Sequence, residues 1–345
     1  MGKIDLRSDT VTQPIPAMRE AMAKAEVGDD VFGEDPTINK LQEIASERMG
    51  KEAGLFVPSG TMGNLAAVLT HCQRGDEAIM GDRGHTFLFE GGGVSALGGI
   101  LVHTLPNLPD GSLDIALLET AIRPDDVHHP VTRLVILENT HNRCGGVVLS
   151  KQYTEQVGNF AHQRNINLHL DGARIFNAAI ALGVTAKELA KPADSVTFCL
   201  SKALCAPVGS VLCGSNDFIR KARRIRKMLG GGMRQAGVLA AAGIIALEQM
   251  VDGLADDHRR ARKLADGLAE IPGIRLSFGL PQTNMVFVEF TEKVTKTGQQ
   301  IVEELKKENI LIGNVGPRNF RMVTHYWVND QGIEKTLKVM KKAVS

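Results

Sequence analysis

Short apolar runs alternate with stretches of helical spacing along most of this chain. The β-prone runs fall at 55–57, 78–80, 100–104, 134–137 and 167–170. Between and after them the spacing predicts helices over 61–71, 113–122, 153–164 and 173–182, with a glycine-rich helix over 85–97. Such alternation reads as an α/β unit: a mostly parallel, mixed sheet flanked by helices. Runs 195–200 and 208–213 follow one another almost directly, which predicts an antiparallel edge. Ligands of such sheets gather at the carboxyl ends of strands, so the loops after residues 57, 80, 137, 170 and 200 should surround one crevice.

Residues 5–14, ahead of this unit, carry neither period and make a poor helix and a poor core strand. They are a loose arm or part of a site. Helical spacing over 16–25 leads to a loop at 27–36 dense in glycine and acid. Thr37 then reads as the N-cap of a helix whose apolar face carries Leu41, Ile44, Ala45 and Met49. A long helical pattern over 218–271 is broken at Gly230, Gly231, Gly232 and Gly253. After Pro272-Gly273 come strands at 275–278, 285–290, 310–312 and 321–325 and helices over 298–309 and 330–342. These form a smaller α+β C-terminal domain. The expected division is 1–250 for the arm and large domain, and 251–345 for a linking helix and the small domain.

Composition narrows the function more than the fold. A formal net charge of +1 gives no global case for nucleic acid or a membrane surface. No signal core opens the chain, and nowhere do 18 uninterrupted apolar residues occur. The five cysteines lack zinc-type spacing and read as reduced thiols, which points to the cytoplasm.

Three places carry candidate chemistry. Lys202 stands at the mouth of the buried run 195–200, where desolvation would free its amine to act as a nucleophile. A solvated lysine in a turn is the plainer reading. Ser59-Gly60-Thr61 joins a strand to a helix, and unpaired N–H groups with the Thr61 hydroxyl would cradle a phosphate. Taken alone, it is equally a capped helix start. Asp171 closes the run 167–170, where its carboxylate could meet a cationic ring nitrogen. His169 shares its strand face, but no third ligand at fitting spacing makes a metal site. In order, these are a phosphate cradle, an acid and an amine, the three contacts that pyridoxal 5'-phosphate needs. That order is the one found in fold type I, the aspartate-aminotransferase-like enzymes.

A narrower resemblance rests on many blocks in one order. Asp5-Leu6-Arg7-Ser8-Asp9-Thr10, Gly28-Asp29-Asp30-Val31, Pro58-Ser59-Gly60-Thr61-Met62, Glu138-Asn139-Thr140-His141-Asn142, His169-Leu170-Asp171-Gly172-Ala173-Arg174 and Gly230-Gly231-Gly232-Met233-Arg234 are among them. The chain resembles the low-specificity L-threonine aldolases from residue 5 to about 326. The resemblance implies pyridoxal-phosphate-dependent retro-aldol cleavage of L-threonine or L-allo-threonine to glycine and acetaldehyde. It implies Gly60, Thr61, His85, Asp171, Arg174, Lys202, Lys227 and Arg234 as cofactor contacts, with Lys202 as the covalent anchor. Lys227 and Arg234 would reach a neighbouring subunit in a homotetramer that shares its sites. Ser8, His128, Arg174 and Arg321 would bind substrate, His85 would act as acid or base, and His128 would meet the β-hydroxyl. Arg318 competes with Arg321 for the carboxylate.

The sequence departs from the family at His129, where an aromatic residue is usual, at Ala203, where glycine follows the lysine, and at Phe32 and Phe89, where tyrosines are common. A transaminase or β-lyase of the same fold, or a nucleotide-binding module without catalysis, are the rival readings. The pair of histidines suited to a β-hydroxyl argues against the first.

Overall fold

The computed structural model describes residues 2–345. Seven strands form the larger sheet: β2 (Ala53–Val57), β3 (Glu77–Gly81), β4 (Leu101–Leu105), β5 (Thr132–Glu138), β6 (Asn167–Asp171), β7 (Ser195–Cys199) and β8 (Ser210–Gly214). Flanked by β1 (Ile4–Leu6) from the N-terminal arm, the smaller sheet adds β9 (Ile274–Leu276), β10 (Met285–Phe290), β11 (Ile310–Gly316) and β12 (Asn319–Val323).

In the larger sheet the order is β2-β8-β7-β6-β5-β3-β4. The five strands from β4 to β7 are mutually parallel, as the alternation predicts. Strand β8 is antiparallel to both neighbours. It is not the edge that its position in the chain suggests, because β2 crosses from the start of the unit to cover it. Register matters more for function. Glu138 is level with Asp171, and Asp171 with Thr197, so the carboxyl ends of β5, β6 and β7 finish in one row. Every residue of β3, β7 and β8 is buried, and the main core packs between this sheet and its helices.

Glycines decide where two helical stretches break. The expected helix over 85–97 is two short ones, His85–Leu88 and Gly93–Gly98. Gly91 and Gly92 part them at φ of 63° and 65°, a backbone that β-carbon-bearing residues avoid. The long pattern over 218–271 resolves into helices Asn216–Met228, Gly237–Ile245 and Leu254–Ala269, with a π turn at Ala246–Met250 and a 68° bend before the last.

The arm also differs from expectation. Ile4, Asp5 and Leu6 pair in parallel with Ile310, Leu311 and Ile312, and Ile4 and Leu6 are buried in the smaller sheet's core. Three residues are too few to show a period. Docking β1 on β11 delivers Ser8, Asp9 and Thr12 toward the larger sheet, where the Thr12 hydroxyl donates to the Lys202 carbonyl at 2.7 Å. All five cysteines are free and buried. No single helix among the described residues is long and apolar enough to cross a membrane.

Candidate active site

A cavity of about 550 Å³ opens where the carboxyl ends of β5–β7 face the smaller sheet. Ser8 from the arm, His85 after β3, Arg174 after β6, Lys202 after β7 and Arg321 on β12 all line it. Their greatest separation in sequence exceeds 300 residues, and the topology alone brings them together. Phe89, Asn142, Arg143, Phe287 and Asn314 complete much of the wall. Behind it, His85 and Asp171 line a second, much smaller cavity, so His85 stands between the two spaces.

Lys202 follows a fully buried strand in a loop that takes positive φ at Cys205, 65°, and at Gly209, 101°. Ala203 has an ordinary φ, so the family's glycine is not needed there for backbone reasons. Asp171 is buried. Its Oδ1 accepts the Ala173 N–H at 3.2 Å and its Oδ2 accepts Asn64 Nδ2–H at 2.9 Å. Asn64 lies on the helix Gly60–His71, which Ser59 caps by accepting the Met62 N–H. A β-carbon on Gly60 would come within 3.0 Å of Cys199 Sγ, tighter than side chains usually pack, so glycine lets this helix start sit close against the end of β7.

Arg174 does not wait free for a carboxylate. Its Nε and Nη2 both donate to Asp9, each at 2.6 Å, in a buried fork. Burial by itself would raise the Asp9 carboxyl, but the Arg174 charge and hydrogen bonds, helped by Lys202 and Arg321, hold it well below the usual carboxylate range. Burial opposes the Arg174 charge, and Asp9 more than compensates, raising the guanidinium above its ordinary value. Arg321 donates from Nη1 to Asn142 Oδ1 at 2.7 Å and from Nη2 to the Arg7 carbonyl at 3.2 Å. Burial, and then the like charge of Arg174, lowers it. Its competitor Arg318 is occupied elsewhere, donating to the carbonyls of Phe290, Thr291 and Val294.

His85 is fixed at both ends. Its backbone N–H donates to Glu138 Oε2 at 2.7 Å, and its ring Nδ1 lies 2.9 Å from Glu90 Oε1. The hydrogen bond to Glu90 raises the imidazole above its ordinary value, against the effect of burial. Glu138 Oε1 also takes the Asn142 N–H at 2.9 Å, so one carboxylate sets two walls of the cavity. His85, Glu90 and Asp171 present ligand atoms within 4.8 Å of one another. Asn64 already donates N–H groups to both acids there, a bonding pattern unlike an open cation site.

Gly60 and Thr61, at the start of the helix after β2, and Asp171, in the smaller cavity, do not line this cavity, and three other expected residues stand apart from it. The His128 side chain is 83% exposed and pairs with Asp126 at 2.6 Å on the loop before β5. Lys227 is exposed in the last turn of its helix, and Arg234 pairs with Asp29 at 2.9 Å. Within one chain these three lie outside the site. Conversely, Asp9, Asn64, Glu90, Glu138 and Asn142 work in or behind the site without a role assigned from sequence. Four of them belong to the blocks that carry the resemblance or extend its Ser59-Gly60-Thr61 turn, which was the available signal. Glu90 had none.

Residues 5–292 match the beta-eliminating lyase family. The low-specificity L-threonine aldolase 1 of Arabidopsis thaliana is 48% identical over 100% of this chain and 97% of its own length. The low specificity L-threonine aldolase of Escherichia coli (strain K12) is also 48% identical, over 93% of each chain. The chain belongs to the low-specificity L-threonine aldolases. The fold agrees: a Leishmania major threonine aldolase superposes with a TM-score of 0.85, covering 99% of this chain and 100% of that one at 23% identity. Against this family background Phe89 stands out as a cavity wall. Its ring centroid lies 5.6 Å from that of His85 and 5.8 Å from the Arg143 guanidinium carbon. Phe32, the other such departure, is 74% exposed and away from the cavity.

Proposed function

We propose that this protein cleaves L-threonine, L-allo-threonine and related β-hydroxy-α-amino acids to glycine and the corresponding aldehyde, with pyridoxal phosphate as cofactor. The observation that carries the reading is the convergence of Lys202, His85, Arg174 and Arg321 on one cavity of about 550 Å³ with Asp171 behind it. The residues fit the cofactor. Gly60 offers a close backbone approach at a helix N-terminus, Thr61 a hydroxyl, Asp171 a buried carboxylate and Lys202 an amine. Pyridoxal phosphate, when bound, supplies the electron sink for cleaving the Cα–Cβ bond.

This chain's own residues do the rest. Lys202 would be the residue that anchors the cofactor, and Gly60 and Thr61 would hold its phosphate. Asp171, kept in place by Asn64 and the Ala173 N–H, holds the proton on the ring nitrogen. Arg321 and the still-uncommitted edge of Arg174 bind the substrate carboxylate, with Ser8 beside them, and so fix which Cα bond is presented. Ser8 Oγ accepts from Thr10 N and Oγ1 and gives its own proton to Asp9 Oδ1 at a long 3.4 Å, a bond it would exchange for one to that carboxylate. His85 takes the β-hydroxyl proton and returns one at the end of the cycle.

His128 reaches the hydroxyl in this reading only as a residue delivered by a neighbouring subunit, as do Lys227 and Arg234 to the phosphate. A homotetramer in the cytoplasm is the setting, and the free, buried thiols are consistent with it. Product analysis tests the proposal. Incubation of the cofactor-loaded protein with either diastereomer should yield glycine and acetaldehyde in equal amounts. A keto acid in their place, or no cleavage, would overturn it.

A further inference from the structure

Glu90 is a buried acid that the reaction above does not use. Its Oε1 accepts twice, from His85 Nδ1 at 2.9 Å and from Asn64 Nδ2 at 2.9 Å. The other Asn64 N–H goes to Asp171 Oδ2, also at 2.9 Å. One amide therefore stands between the acid behind His85 and the acid assigned to the cofactor ring.

The orientation of that amide is fixed from behind. Buried His169 is pushed down to about 3 by desolvation, so its ring is neutral and has one N–H. Its Nε2 lies 3.2 Å from Asn64 Oδ1 and its Nδ1 lies 2.8 Å from Ser195 Oγ. His71 Nε2 also lies 2.8 Å from that hydroxyl. A flipped Asn64 would set its oxygen against two carboxylates. With both Asn64 N–H groups given to the acids, His169 Nε2–H must donate to Oδ1, the Ser195 hydroxyl to His169 Nδ1, and His71 Nε2–H to Ser195. Every donor in the chain points toward Glu90 and Asp171.

We propose that Glu90, oriented by Asn64, is a positioning residue that locks His85 as the Nδ1–H tautomer and so makes Nε2 the atom that takes the substrate proton. This rests on the reading of His85 as the proton-handling group. Nε2 has no hydrogen-bond partner among the described residues, and the half-buried ring lines the main cavity. Burial, and then Asp171, raises the Glu90 carboxyl against the hydrogen bonds of His85 and Asn64, and when the β-hydroxyl proton moves to Nε2 the imidazolium is held at Nδ1 by Glu90. Asp171 from β6 and Lys202 from the loop after β7 also act on His85, with opposite signs. Glu138 bonds its backbone, and Arg143, Arg174 and Arg321 face it across the cavity. Glu90 differs from all of these in touching the ring.

The test is ¹⁵N NMR of histidine-labelled protein, with and without added pyridoxal phosphate, using His85→Asn to assign the signal. The wild type should show neutral His85 protonated at Nδ1. Glu90→Gln, which keeps shape and removes charge, should lower the His85 midpoint by about one pH unit, and Glu90→Asp should lower it by less. For the loaded enzyme, kcat in Glu90→Gln should fall about 10-fold or more with KM little changed, and the acid limb of its pH profile should move to lower pH. A wild-type Nε2–H tautomer, or a midpoint unmoved by Glu90→Gln, would overturn the proposal. Failure of the wild type to release aldehyde would instead overturn the functional reading on which it rests, whatever the tautomer.

Discussion

His85, at the start of a short helix, and His128, on a loop, each have a carboxylate against Nδ1, at 2.9 Å and 2.6 Å respectively. The shorter pair is the weaker device. Asp126 and His128 are 49% and 83% exposed, so water and salt screen them and nothing fixes the ring. Glu90 is 3% exposed, and Asn64, His169 and Ser195 brace it in turn. The loop of His85 ends on the Glu138 carboxylate at the tip of a core strand, whereas the loop of His128 hangs between two surface prolines, Pro124 and Pro130. The first region is braced from behind within one chain, and the second is not. Distance between two charges says little about function until the shell around them is known.

The comparison breaks most visibly if the braced region can lose a brace cheaply. Asp9→Asn leaves Arg174 buried without its counter-charge, and urea unfolding should show a loss of about 3–5 kcal/mol. The Asp9 carboxyl is depressed in the folded state, so the stability it contributes is present above the usual carboxylate range and is lost only in strong acid. Next in size is catalysis. His85→Asn should lower kcat on L-threonine about 10²–10⁴-fold. His128→Asn should cost less, about 10-fold, and mainly in KM. Equal losses would erase the distinction drawn between the two loops. The smallest expected effect separates the two neighbouring arginines. Arg321→Lys should raise KM for threonine about 10-fold with the melting temperature unchanged. Arg318→Lys should leave KM alone and lower the melting temperature, because Arg318 ties together three backbone carbonyls.

Much of the site was legible because its chemistry is local. Lys202 follows an apolar run, Asp171 ends one, and Ser59-Gly60-Thr61 starts a helix, so each could be placed from a dozen residues. The role of Asp9 was not, since its partner Arg174 is 165 residues away, and Asn64 meets Asp171 across 107. Glu90 lay inside a stretch read as one helix; Gly91 and Gly92 end that reading and turn Glu90 inward. In the fold, strand-helix alternation gave the parallel strands, but not the interior position of β8, which depends on where β2 closes the sheet. Arg318 and Arg321 are three residues apart and alike in sequence. Only the pairing of β12 with β10 and β11 shows which one faces the cavity.

If β-hydroxy-α-amino acids are cleaved in this cavity, Lys202 is the one lysine that the cofactor should modify. Borohydride reduction of the pyridoxal-phosphate-loaded protein, followed by peptide mapping and an aldehyde-release assay, tests it most directly. Cofactor mass should appear on Lys202 alone, with threonine cleavage abolished by the reduction and absent in Lys202→Ala. Cofactor mass on another lysine, or cleavage of threonine by Lys202→Ala at the wild-type rate, would contradict it.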